Sequence, residues 1–248
     1  MLKLNKDNYH SIEANRAYMS CSLFKSLLPQ YGGCEARAMA VLNGEWEEKD
    51  KDAFLIGGYV HAWNEGKLPE YMAKNPGLFK KDGSLSLYAK YEIADKMIET
   101  LRNDPLITKA REGEKELILT GELFGMPWKV MIDVYNPDLK VFADLKTCQE
   151  IHLTKWNPVT RQRENMIKLY GYDWQMASYA EIVRQNVGGD YFQPHIIAVS
   201  KEDPPDKALI HFGTEFIEET LDEMELFASG AKAVWEGKVE PLRCDRCD

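Results

Sequence analysis

Residues 115–147, KELILTGELFGMPWKVMIDVYNPDLKVFADLKT, constrain the fold more than any other stretch of the chain. Three β-rich runs are separated by FGMP and NPDLK, where Gly, Pro, Asn and Asp at hairpin spacing turn the chain back on itself. An antiparallel meander is predicted. Helical patterns flank it on both sides. SCSLFKSLLPQYGGCEARAMAVLNGE reads as a short helix behind a serine cap, a turn over Pro29 to Gly33, and a second helix stopping near Gly44. An apolar stretch with paired glycines, Gly57 and Gly58, comes next. Residues 88–103 then space Tyr91, Ala94, Ile98 and Leu101 at helical intervals ahead of Pro105. After the meander, a polar link leads to a long helix over about residues 167–187. QPHIIAVS and KALIHF read as strands, and an amphipathic helix stopped by Gly237 follows.

In a strand, Phe142, Asp144 and Lys146 share one face while Val141, Ala143 and Leu145 share the other. An acid beside a lysine on one face is usually a solvated surface, so the pair needs partners elsewhere to carry function. Asp133, in MIDVY, supplies one: adjacent antiparallel strands can bring Asp133 and Asp144 together. Two clustered carboxylates repel unless a cation sits between them, and hard oxygen ligands suit Mg²⁺ or Mn²⁺. Removing Asp144 should therefore raise thermal stability slightly when no metal is bound.

At 248 residues and 44% hydrophobic the chain can bury a substantial core, and it fits a single domain. Its formal charge of -9 argues against a surface that is basic all over. One local exception stands in the link, where Lys155, Arg161, Arg163 and Lys168 face only Glu164, with Trp156 and Tyr170 available for stacking. The acidic run Glu215, Glu218, Glu219, Asp222, Glu223 and Glu225 reads as a solvated helix face turned from any nucleic acid. No apolar run approaches the roughly 18 residues of a membrane span, and the N-terminus lacks the order of a secretory signal, so a cytoplasmic protein is expected. Five cysteines in such a chain point to burial or metal rather than to a disulfide framework.

These residues together resemble the PD-(D/E)XK nuclease superfamily, in its RecB-like branch of phage and prophage recombination exonucleases (exonuclease VIII-like). GGYVHAWNEG is similar to the branch's glycine-then-histidine motif, KEL to its acidic motif, MIDVY to its first metal aspartate, DLKT to its acid-x-lysine, and YDWQMASYAEI to its Gln-x-x-x-Tyr signature. Ile132 stands where the superfamily name has a proline. The resemblance implies an α/β fold with a restriction-endonuclease-like core: a central mixed sheet, an antiparallel meander followed by a helix and a strand, and flanking helices. It implies one nuclease domain over 1–248, with a helical extension to about residue 105, a catalytic core over about 106–213 and a C-terminal helix over about 214–237.

For the site, the resemblance implies His61, Asp133, Asp144 and the Leu145 carbonyl as ligands of Mg²⁺ or Mn²⁺. Lys146 would position water, Glu116 would be a supporting acid, and Gln175 and Tyr179 would face the substrate, with Lys155, Arg161 and Arg163 on DNA phosphates. Each has a plainer reading. Glu112, Glu114 and Glu122 lie near Glu116 and make a solvated acidic edge plausible, and Gln175 and Tyr179 are spaced as on any half-buried helix. The implied activity is resection of linear duplex or single-stranded DNA ends, by a homo-oligomeric ring acting with a single-strand annealing protein. Two alternatives stay open: a RecB-like nuclease carrying an iron–sulfur cluster, of the CRISPR-adaptation type, and a catalytically silent DNA-binding protein.

The cluster alternative turns on the ending LRCDRCD. In cluster-bearing relatives one N-terminal cysteine joins three C-terminal ones, which matches Cys34, Cys244 and Cys247 and leaves a fourth ligand to be found. Cys21 substituting, a shortened chain, or no cluster are the options. The favoured reading is a buried Cys21 and a frayed tail, with neither iron nor zinc bound.

Overall fold

The computed structural model describes residues 2–46, 52–82, 86–244 and 247. Among the described residues seven α-helices precede the strands: α1 (Ile12–Ala17), α2 (Cys21–Ser26), α3 (Glu35–Asn43), α4 (Asp52–Glu65), α5 (Leu68–Lys74), α6 (Ile93–Arg102) and α7 (Pro105–Ala110). Ser20 caps α2 by accepting the Leu23 N–H, and Gly44 ends α3 in the left-handed conformation. The paired glycines lie inside α4 because the helix runs close to its neighbours. A Cβ on Gly57 would stand 3.1 Å from Thr147 Oγ1, and one on Gly58 2.5 Å from the Tyr71 hydroxyl.

Strands β1 (Leu117–Leu123) and β2 (Met126–Ile132) form one antiparallel pair. β3 (Val134–Asn136), β4 (Val141–Cys148), β7 (Gln193–Ser200) and β8 (Lys207–His211) form a four-stranded mixed sheet in that order, with β4 parallel to β7. The expected meander therefore needs one correction: its middle run is broken at Asp133 into β2 and β3, which belong to different sheets. Val134 pairs with Ala143, so continuing that register by one residue would set Asp133 directly opposite Asp144. Like charges facing each other across a ladder are destabilising, and the strand ends there.

Two further corrections concern the segment after β4. The polar link is a hairpin, β5 (Thr154–Asn157) paired with β6 (Gln162–Asn165). The expected long helix is two, α8 (Met166–Leu169) and α9 (Tyr172–Val187), separated where Gly171 takes φ +60°. Helix α10 (Thr214–Trp235) follows β8 as expected.

The core divides across the four-stranded sheet. Phe142, Ile196 and Ala198 pack on the side of α9 and α10, while Ala143, Leu145, Ile197 and Val199 pack on the side of α4 and α6. Strands buried on both faces are what a central parallel pair requires. Among the described residues no helix is long and apolar enough to cross a membrane.

Candidate active site

The face shared by Phe142, Asp144 and Lys146 is covered by α9 rather than solvated. Tyr172, Gln175 and Tyr179, spaced three and four apart, form the matching helix face. The Tyr179 ring lies 6.5 Å from Phe142, Gln175 Nε2 donates to Asp144 Oδ1 at 2.6 Å, and Lys146 Nζ sits 5.0 Å from the centre of the Tyr172 ring. Tyr172 was not singled out by the sequence reading. Its signal was the position three before Gln175 on the same helix face.

Asp144 is 3% exposed, and its Oδ2 lies 2.5 Å from Lys146 Nζ. That ion pair is the one contact of this buried oxygen among the described residues. Asp133 Oδ2 accepts the Leu145 N–H at 2.7 Å and stands 3.5 Å from His61 Nδ1. Burial, and then the charge of Asp144, push the Asp133 carboxyl up to about 6. Burial works against the charge on Lys146, but Asp144 and Asp133 outweigh it and hold the pKa above the ordinary lysine value. Two carboxylates thus converge on one lysine. Carboxylate oxygens with an imidazole beside them suit a divalent cation, and Asp133, Asp144 and His61 line one cavity, while Leu145 is placed there by the N–H that Asp133 accepts.

His61 sits on α4 one helical turn before Glu65, a second residue the sequence reading did not name. The Glu116 carboxyl is raised by burial first and then by Glu65, to which it hydrogen-bonds. Lys6 Nζ lies 3.8 Å away, and Glu116 itself takes φ +56°, a conformation disfavoured for a residue with a side chain. The supporting acid is therefore one of a carboxyl pair that extends the acidic site away from Asp144.

A cavity of about 600 Å³ opens over these groups, with His61, Glu116, Asp133, Asp144, Lys146, Gln175 and Tyr179 all in its wall. Its cations come from elements the sequence reading had assigned no role: Lys25 on α2, Arg37 on α3 and Lys129 on β2. Lys129 shares the cleft-facing side of β2 with Met131. It is 1% exposed, and its ammonium donates to the Tyr9 carbonyl and to Asn15 Oδ1, while burial lowers its pKa to about 8.

Lys155, Arg161 and Arg163 do not line this cavity; they lie on the β5–β6 hairpin. Lys155 pairs across with Glu164 and Trp156 with Arg163, so Trp156 and Arg163 share a face. Trp156 is 58% exposed. Lys168, counted with this basic group in the sequence, is engaged instead: its ammonium lies 2.7 Å from Asp173 Oδ2 and 2.9 Å from Glu223 Oε2. Glu223, one member of the acidic run, thereby faces α8 rather than open solvent.

Cys21 is buried in the cleft wall as expected. The tail is held rather than frayed as far as Leu242, which donates to Glu35 Oε2 at 2.8 Å and accepts from Ala36 N at 3.1 Å, and residues 245, 246 and 248 lie outside the described residues. The tail brings Cys244 and Cys247 to Cys34, with one sulfur of each within 4.8 Å of the others, and Cys21 is not among them.

Residues 20–248 match a family described as "PDDEXK-like domain of unknown function (DUF3799)". The chain belongs to this family. The match takes in the acids, the lysine, His61 and the α9 face, from α2 through the cysteine tail, while Lys6, Tyr9 and Asn15 precede it. A crystal structure described as that of a "Putative exonuclease" from Eubacterium rectale superposes with a TM-score of 0.91 at 36% sequence identity, over 100% of this chain and 92% of that one. The PDDEXK-like core, a mixed sheet between helical layers, is thus shared along the full length. No curated protein matches the chain.

Proposed function

We propose that this chain is a metal-dependent deoxyribonuclease acting on the ends of linear DNA. The observation that carries the reading is the buried meeting of Asp133, Asp144 and Lys146 at the break between β2 and β3. Membership of a PDDEXK-like family and the description of the Eubacterium rectale structure support it.

Asp133 and Asp144 would hold Mg²⁺ or Mn²⁺, helped by the Leu145 carbonyl and His61. A divalent ion held there supplies Lewis-acid polarisation of the phosphate and an acidified water. Lys146 remains protonated at neutral pH, so it orients water and stabilises negative charge developing on the phosphoryl oxygens rather than abstracting a proton. Gln175 fixes the Asp144 carboxylate through its amide, and the Tyr172 ring confines the lysine. Lys25 and Arg37 in the cleft, with Lys155, Arg161 and Arg163 on the hairpin, offer sequence-independent phosphate contacts. The finer role, resection of duplex ends for strand annealing by a ring of identical subunits, draws on the family resemblance.

Incubation with end-labelled linear and with circular duplex DNA, in Mg²⁺, Mn²⁺ or EDTA, tests the proposal. Metal-dependent loss of the linear substrate alone is expected. Degradation of closed circles would make the enzyme an endonuclease, and inertness on both would leave a DNA-binding protein of the same fold.

A further inference from the structure

A second cavity, of about 620 Å³, lies on the other side of α3 from the catalytic cleft. Cys34, Cys244 and Cys247 line it together with Arg37, Trp46 and Arg243. Cys34 occupies the N-cap position of α3, where its side chain makes no capping hydrogen bond. It is 5% exposed, and its Sγ lies 3.9 Å from the Leu242 carbonyl. The Cys244 and Cys247 sulfurs are 3.0 Å apart. Three thiols from opposite ends of the sequence, one of them buried, thus converge to within 4.8 Å.

We infer that Cys34, Cys244 and Cys247 form a site for a single thiophilic metal ion of the zinc class, which clamps the C-terminal tail to α3. A tetrahedral ion with metal–sulfur bonds of about 2.3 Å holds its sulfurs roughly 3.8 Å apart, within reach of the observed spacing after small rotations of the side chains. A four-iron cubane spreads four thiolates over four separate iron corners. The three sulfurs here lie closer together than that, gathered as for one ion. Three thiolates around a divalent ion leave one net negative charge, which Arg243 in the same wall offsets. Zinc with three protein ligands keeps a fourth position for water or an exogenous donor, and the cavity has room for it.

The clamp has a mechanical consequence. The tail already bonds to the first turn of α3 through Leu242, and Arg37, Ala38 and Leu42 on that helix line the catalytic cavity. A metal holding Cys244 and Cys247 to Cys34 fixes the helix that walls the cleft.

The test uses the full chain, purified under reducing conditions without chelator, and reads metal content rather than DNA cleavage, so it stands apart from the nuclease proposal. Elemental analysis is expected to find about one zinc per chain, as a single thiolate site requires. Cys34→Ser should lose it, and Cys21→Ser should keep it. In the unsubstituted protein, replacement of zinc by Co²⁺ should give the intense thiolate-to-cobalt absorption of a tetrahedral site, a readout that needs no variant to fold. Absence of metal and of the cobalt signal, several irons per chain with acid-labile sulfide, or undiminished zinc in a folded Cys34→Ser protein would each overturn the inference.

Discussion

At the scale of single residues, Asp133 and Asp144 are not equivalent, although the sequence presents them as two similar acids. Asp144 is bonded by Gln175 and paired with Lys146, whereas Asp133 carries the raised pKa. The contacts of Asp144 argue against the expected gain in stability on its removal: Asp144→Ala would leave Lys146 facing Asp133 alone and Gln175 without its acceptor, and should lower thermal stability without metal. Asp133→Asn should do the opposite. The folded state keeps a proton on Asp133 up to about pH 6, where the unfolded carboxyl has released it from about 3.8 upward. The folded protein thus binds more protons in that window, and stability falls as pH rises through it. Without metal, Asp133→Asn should be more stable than the parent at pH 8 by roughly 1–3 kcal/mol, with the gap closing towards pH 4, by denaturant titration at both pH values. Lys146→Ala should reduce turnover by about 10²–10³ while Mn²⁺ binding by calorimetry persists, because the lysine stabilises charge and is not a ligand. Loss of Mn²⁺ binding in that variant would contradict the role given to it.

At the scale of elements, the β5–β6 hairpin bears the exposed Trp156 beside Arg163. Trp156→Ala should weaken binding to single-stranded DNA by about 1–3 kcal/mol in a filter or anisotropy assay, the range for one base–aromatic stack, with the melting temperature unchanged. An unchanged affinity would remove the hairpin from the DNA path. This hairpin was illegible in the sequence for a physical reason: TKWN and QREN are largely solvated on both faces, so no alternation of apolar and polar residues marks them. The catalytic strand was legible because its core face, Ala143 and Leu145, alternates with Asp144 and Lys146, and because the turns on either side are written in Gly, Pro, Asn and Asp. The break at Gly171 was hidden inside a helical pattern. There the left-handed φ and the closeness of Lys25 and Tyr31 are set by tertiary packing.

At the scale of the whole molecule, the cleft is assembled from distant parts. Lys25 and Arg37 reach it from the N-terminal helices, Lys129 and Asp133 from the β2 edge, Gln175 and Tyr179 from α9. Strand alternation and motif spacing locate the acids and the lysine, but which cations roof them depends on packing between segments more than 100 residues apart, such as Lys129 bonding to Tyr9. A metal that binds the folded state alone should therefore stabilise the entire assembly. At a hundredfold excess over its dissociation constant, Mn²⁺ should add about 2.7 kcal/mol to the parent and far less to Asp144→Asn, measured as a rise in Tm.

The most direct measurement is the rate at which end-labelled linear duplex is hydrolysed in Mg²⁺ by the parent protein and by Asp144→Asn, side by side, with DNA binding recorded for both. The substitution keeps an oxygen for the Gln175 amide and removes the charge that a divalent ion requires. The account predicts hydrolysis by the parent, its loss in the variant, and comparable binding by both. Hydrolysis at the parent rate by Asp144→Asn would contradict it, because the buried carboxylate between Lys146 and Asp133 would then have no part in the chemistry.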